Sequence, residues 1–287
     1  MRTTRDLKLL THLTNLLLAA ALAFACGAAA RAGQAEGNAA KPSASAAPLL
    51  AAIKAVDSDP TPAEARARGE AVEGLKRLGR DAVPALTEFL SIEKGTPRVY
   101  AAEALAGIDP SNALARQALI DVARDGKGDE VIEAAITLSK LDPENDAAVP
   151  ALVKMASKSI IIPSAKNMRR MRGSAFALAL TASGVRGLTP LLQHWDSWVR
   201  QSAVYAFDER TEALSQAPPA VRAAVREAVP TLVKALADRD EIVRGMSAEA
   251  LEQLGAEAVP ELKKAAAGDD KKQAAAAAEL LKQMGRG

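Results

Sequence analysis

The chain has 287 residues, 37 Lys and Arg against 35 Asp and Glu, a formal charge of +2, and only 3% aromatic residues. A composition led by Ala and Leu disfavours β-sandwiches and barrels, whose strands want β-branched and aromatic side chains. One cysteine, Cys26, rules out an intrachain disulfide, and two histidines, His12 and His194, leave little for a histidine metal site or a Ser–His–Asp triad.

Residues 1–25 carry Arg2, Arg5 and Lys8, then an apolar run over 16–24, then small residues. That is the order of a secretory signal. The apolar stretch falls short of the ~20 residues that span a bilayer, so the expectation is a cleaved signal peptide and export. The three bases and Asp6 would leave with the leader, making the mature chain neutral; that excludes the basic excess of a general nucleic-acid binder. Leu22-Ala23-Phe24-Ala25-Cys26-Gly27 resembles the lipobox of bacterial lipoproteins at Ala25 and Cys26. Phe24 is bulkier than the usual residue, and Leu22 lies one place further out than the standard leucine. Cys26 is thus a lipidation candidate, with cleavage after Ala23-Phe24-Ala25 or Ala30-Arg31-Ala32 as the alternative. Residues 26–47, rich in Gly, Ala and Ser, read as a flexible tether, and 48–287 as the folded part.

From Pro48 the pattern is helical throughout. Leu49, Leu50, Ile53 and Val56 form one apolar face, ended by Asp57-Ser58-Asp59-Pro60, which predicts a lone opening helix that caps the folded part. A repeat then sets in. Leu86, Leu119, Leu152, Leu192, Leu232 and Leu262 each stand two residues past a landmark: Pro84, Gln117, Pro150, Pro190, Pro230 and Pro260. The landmarks are 33, 33, 40, 40 and 30 residues apart, the period of stacked helix pairs. In the first unit Gly79 closes helix A, and Asp81-Ala82-Val83-Pro84 opens helix B. Asp109-Pro110 and Asp142-Pro143 mark the turns of units two and three. Unit four is expected to carry an extra stretch, 159–172, before its helix A resumes, and unit five a long connection over 208–219. An alanine-rich helix over 271–287, with Leu280, Leu281 and Met284, closes the array.

Leu-x-x-Leu-Gly-x-x-Ala-Val-Pro-x-Leu occurs at 75–86 and again at 251–262, and Trp198-Val199-Arg200 and Ile242-Val243-Arg244 precede helix-A alanines. In these features the chain resembles HEAT repeats of the PBS-lyase-like kind over about 62–287. The resemblance implies an all-α, right-handed α-solenoid of about six helix hairpins with terminal capping helices. It implies that the B helices line the concave surface. It leaves function open, because packing residues define the family.

The leucine column reads as structural. Two residues further along each B helix, turned about 200° away, sits a polar column: Glu88, Asp121, Lys154, His194, Lys234 and Lys264. It forms either a partner-binding ridge, acidic early and basic later, or a solvated helix face. Ile160-Ile161-Ile162-Pro163, followed by Lys166, Arg169, Arg170 and Arg172, is the least repeat-like segment; it either touches an anionic surface or covers a junction between units. His194, Trp195 and Trp198, with Asp196 and Arg200 beside them, form an aromatic recognition patch or a filler for the longer units. No Gly-rich phosphate loop, Gly-x-Ser-x-Gly or Cys/His cluster is present, so no cofactor, metal or catalytic residue is expected. The expected function is a non-catalytic interaction scaffold in the bacterial cell envelope, periplasmic or tethered as a lipoprotein. It would bind another envelope protein, no nucleic acid, and membrane only through an anchor at Cys26. The alternative is a HEAT-like enzyme or enzyme subunit of lyase type.

Overall fold

The computed structural model describes residues 45–55, 61–159, 164–212 and 214–285. The expected leader (1–25), Cys26, the expected tether as far as 44, Val56 to Pro60 and the Ile160-Ile161-Ile162-Pro163 stretch lie outside the described residues. The opening helix α1 (Ala46–Lys54) starts at Ser45, whose hydroxyl accepts from the Ala47 amide at 3.3 Å, and it buries Leu50 and Ile53. Helix α2 (Pro62–Leu78) is set by a reciprocal cap. The Glu64 amide donates to Thr61 Oγ1 at 3.3 Å and the Thr61 amide to Glu64 Oε2 at 2.7 Å, so two otherwise orphaned donors are satisfied together.

The duplicated motif folds the same way twice. After α2, Gly79 takes φ +59° and a 3-10 turn, Gly79–Ala82, leads into α3 (Val83–Ile92) with Pro84 in its first turn. After α12 (Glu241–Leu254), Gly255 takes φ +57° and a turn, Gly255–Glu257, leads into α13 (Val259–Ala266) with Pro260 in its first turn. A Cβ on either glycine would meet nothing within 4 Å. Backbone dihedral, rather than space, selects glycine here. Asp81, expected to open α3, makes no capping bond: the cap position falls on Ala82, the helical-backbone residue that ends the 3-10 turn.

Between these units lie α4 (Gly95–Ile108) and α5 (Ala113–Asp125), α6 (Asp129–Leu141) and α7 (Val149–Ala156), then α8 (Ala165–Leu178) and α9 (Ala182–Leu188). A 3-10 turn, Thr189–Gln193, prolongs α9 and carries Pro190 and Leu192. Helices α10 (Ser197–Glu212) and α11 (Pro219–Ala235) form the fifth hairpin, and α14 (Lys271–Gln283) closes the array. Two length expectations need correction. Ser164 accepts from the Asn167 amide at 3.2 Å and starts α8 at Ala165, so Lys166, Arg169, Arg170 and Arg172 are helical rather than part of an insertion. In unit five the extra residues lengthen the helices instead of the link. Helix α10 runs to Glu212, and α11 begins at Pro219 with Pro230 well inside it. That proline has no N–H to give the Arg226 carbonyl, a local loss the long helix tolerates because its face is buried on both sides of the break.

The packing is one-dimensional. First helices α2, α4, α6, α8, α10 and α12 touch in sequence, second helices α3, α5, α7, α9, α11 and α13 do likewise, and α1 and α14 cover the ends. Leu86, Leu119, Leu152, Leu192, Leu232 and Leu262 are all at most 2% exposed, which makes them the spine of a continuous core. Alanines fill the gaps: α4 buries Ala101, Ala102, Ala104 and Ala106, small enough for helices to approach closely. The described residues thus form an α-solenoid of six helix hairpins between two capping helices.

Candidate functional site

The spine fixes what the B helices show to solvent. Two residues past the buried leucines, Glu88, Lys154, Lys234 and Lys264 are exposed and Asp121 and His194 half-exposed. Asp121 is held in place by three neighbours. Its carboxylate accepts from Gln117 Nε2 at 2.8 Å and from Arg98 Nη2 at 3.4 Å, and lies 3.6 Å from Arg124 Nη2. Gln117, the one landmark that is not proline, therefore has its own use: it reaches one turn along α5 to that acid. His194 departs from the column's helical geometry, because the fourth B element has already tightened into its 3-10 turn and ends at Gln193. Its Nδ1 accepts from the Asp196 amide at 3.1 Å, and its ring lies 5.6 Å from that of Trp195.

The two indoles have different surroundings. Trp198 is half-buried and packs on the core, whereas Trp195 is 70% exposed. Arg200 organises the loop between them. It is 3% exposed, forks onto Asp238 through Nε and Nη2 at 2.8 and 2.9 Å, and donates through Nη1 to the His194 and Trp195 carbonyls at 2.8 and 3.1 Å. Arg239 Nη2 also donates to the Trp195 carbonyl, at 2.6 Å. Arg244 repeats the clamp one unit later, donating to the Asp238 and Arg239 carbonyls at 2.9 and 3.1 Å. Arg200 thus joins two successive inter-unit links, whereas Arg244 ties down only the link before its own helix.

The basic cluster is also partly structural. Arg170 Nε donates to Asp129 Oδ1 at 2.6 Å, tying α8 to α6, and the Arg172 guanidinium lies 5.8 Å from the centroid of the Tyr205 ring on α10. Arg169 is exposed and Lys166 half-exposed on the same helix.

Two features were missed at the level of sequence. Arg186 forks onto Glu227 at 2.8 and 3.1 Å, and Arg226 forks onto Glu257 at 2.7 Å in both arms. The guanidinium partners hold both carboxyls below the usual glutamate range. Arg four places, and Glu three places, before a landmark proline was the available signal. The second feature lies on the A helices, where buried Arg68 stands 4.4 Å above the Tyr100 ring. Tyr100 hydrogen-bonds Glu133 on α6. Burial pushes both the Glu133 carboxyl and the Tyr100 phenol up; Arg68 opposes this, while Glu103 adds to it for both groups. Tyr100 and Glu133 both stand seventeen residues before their landmarks, in register, and Arg68 sixteen, one place off.

Among the described residues, no group of three or more His, Cys, Asp or Glu could hold a metal ion, and no helix is long and apolar enough to cross a membrane. A void between hairpins three and four, lined by residues including Leu138, Asn145, Leu152 and Thr181, measures about 10 Å3, the lower limit for one water.

Residues 185–282, from α9 into α14, match the family model for HEAT repeats. No curated protein matches the chain. Similar solved structures include the Escherichia coli protein YibA, at 18% identity over 88% of this chain and 100% of that one, with a TM-score of 0.37. The complex of CpcE and CpcF of phycocyanin lyase from Nostoc gives 19% identity, 88% and 100% coverage, and a TM-score of 0.33. A designed armadillo repeat protein gives 16% identity, 83% and 98% coverage, and 0.32. At such identities and scores these likenesses have no bearing on function.

Proposed function

We propose that the protein is a non-catalytic interaction scaffold of the bacterial cell envelope that holds another envelope protein against its B-helix face. The observation that carries this reading is the division of five of the six B helices: one leucine locked in the spine, and a charged residue two places on, on the solvent side, with His194 just past the end of the fourth. Such a face offers distributed contacts along a rigid array, which suits a partner surface better than a single reacting atom. The order of charge, apolar run and small residues in the leader supports export, and Cys26 is the proposed anchor if cleavage falls before it.

The reading is tested by capture from solubilised envelopes on immobilised protein. Wild type should retain one protein in stoichiometric amount, and a variant with Lys154→Glu, Lys234→Glu and Lys264→Glu should lose it. Equal retention by both would sink the assignment of the B-helix face. Mass spectrometry of the native N-terminus tests the address: an acylated Cys26 fits a tethered lipoprotein, a start at Gly33 fits a soluble exported one, and an intact Met1 contradicts export.

A further inference from the structure

The exposed side of the later B helices is more specific than a solvated charged face. Lys154 and Lys158 on and just past α7, Lys234 on α11, and Lys263 and Lys264 on α13 are all exposed. Among the described residues, only Lys264 in this set has an acid partner, Glu261 at 3.2 Å, and its side chain is still 78% exposed. The neighbouring acids on these faces are already neutralised: Glu227 by Arg186, and Glu257 by Arg226. Asp146 is exposed but stands before α7 begins, two turns away from Lys154. What remains is an excess of exposed lysine on hairpins three, five and six, interrupted at hairpin four, where His194 stands.

Its spacing is as informative as its sign. Lys154, Lys234 and Lys264 occupy the same register position in units three, five and six; His194 matches it in sequence in unit four but stands just past the end of its 3-10 turn. Packed helices of neighbouring hairpins lie about 8–10 Å apart. A polyproline II strand rises about 3.1 Å per residue with three residues per turn, so its like-facing side chains recur about every 9 Å. The two periods agree. An extended β-strand, with like-facing side chains about 6.5–7 Å apart, loses step after two units.

We infer that hairpins three to six bind an acidic polypeptide segment in polyproline II conformation, laid across the B helices with a carboxylate at every third residue. Carboxylates one, three and four meet Lys154, Lys234 and Lys264, while the second crosses unit four without a lysine partner. Lys158 and Lys263 flank the ends. The inference rests on the B-helix face being the binding face, and it adds the chemistry and the period of what binds there.

Labelled peptides test it by fluorescence anisotropy with the purified protein at low ionic strength. One probe is four repeats of Glu-Pro-Pro; a second has the same composition with its glutamates placed side by side; a third is oligothymidylate of equal charge. The periodic peptide should bind several-fold tighter than the other two. Exposed ion pairs contribute about one-and-a-half- to fivefold each, so Lys154→Glu, Lys234→Glu and Lys264→Glu together should weaken it roughly tenfold or more. Circular dichroism should show that variant folded as wild type. Equal affinity for the reordered peptide or the oligonucleotide, or indifference to the triple substitution, overturns the inference; so does no binding at all. If the peptide fails while the triple variant still loses the captured envelope protein, the binding face stands and only its proposed occupant falls.

Discussion

Arg200→Met is the substitution that tests the architecture most severely. It keeps the apolar stem and removes a guanidinium whose side chain is 4% exposed, facing an Asp238 carboxylate at 13%. In the wild type that one group satisfies both Asp238 oxygens and two carbonyls of the preceding link. The variant strands a poorly solvated carboxylate, a situation that costs about 3–5 kcal/mol when one partner of a buried pair is removed. The lost carbonyl bonds overlap with that figure and are not added to it. For a domain of this size, each kcal/mol moves the melting temperature by about 2–4 °C, so a fall of roughly 6–20 °C is expected in a thermal melt. Asp238→Asn should cost less, and combined with Arg200→Met it should recover part of the loss, since no charge is then left without a counter-ion. The indole of Trp195, whose carbonyl Arg200 helps to pin, should become more mobile by fluorescence anisotropy. A fall of less than about 1 kcal/mol, with the Trp195 signal unchanged, is typical of a surface pair and refutes the clamp.

Replacing Gly255 or Gly79 by Ala should destabilise by about 1–3 kcal/mol in urea, because the dihedral and not a clash excludes the methyl group; equal stability would mean the link relaxes freely. Leu152→Ala should cost about 2–5 kcal/mol, while Lys154→Ala two residues on should leave the urea midpoint in place; comparable losses at both would contradict the buried spine. Glu133 gives a pH signature. Its carboxyl titrates above the ordinary 4.5, so between that value and its native pKa the folded state holds more proton than the unfolded chain, and stability falls as pH rises through the window. Glu133→Gln should raise the neutral-pH melting temperature and flatten that fall; an unchanged pH profile would mean the group is solvated. Glu227 and Glu257 act with the opposite sign, losing their contribution as pH drops through their lowered values.

The period was legible because packing repeats: a spine leucine must recur once per unit, and a proline or glycine must mark each break. Leu119 could be placed without a proline beside it, since Gln117 holds the same position in the helix. Lengths were less legible. Extra residues before Pro230 look like a link in sequence, since they contain Pro218-Pro219, yet Pro219 sits where a helix accepts proline best, at its start. The polar column could be placed on one face by helical geometry alone, but His194 could not, because the change from α-helix to 3-10 turn at Thr189 is a local tightening without its own sequence mark. The roles of Arg170 and Arg200 were not readable at all: their partners Asp129 and Asp238 are 41 and 38 residues away, and only the stacked units bring them together.

That distance also separates two populations of charge with different consequences. Arg170, Arg186, Arg200 and Arg226 each reach a carboxylate in a neighbouring unit, and the buried Arg200–Asp238 pair contributes most to the interface energy that holds a one-dimensional array together, the exposed Arg186 and Arg226 pairs little. Guanidinium suits that use, because its planar fork meets both carboxylate oxygens at once. Units three, five and six of the outward column carry lysine instead, a flexible point charge: Lys154 and Lys234 have no acid partner among the described residues, and neither bridges two units. A solenoid that needed those lysines for stability would have spent them on its own acids, as it has its arginines. Reversing three lysines should therefore alter what the surface attracts while leaving the stack intact, whereas removing the buried Arg200 should loosen the stack and leave the surface charge of the B helices nearly as it was.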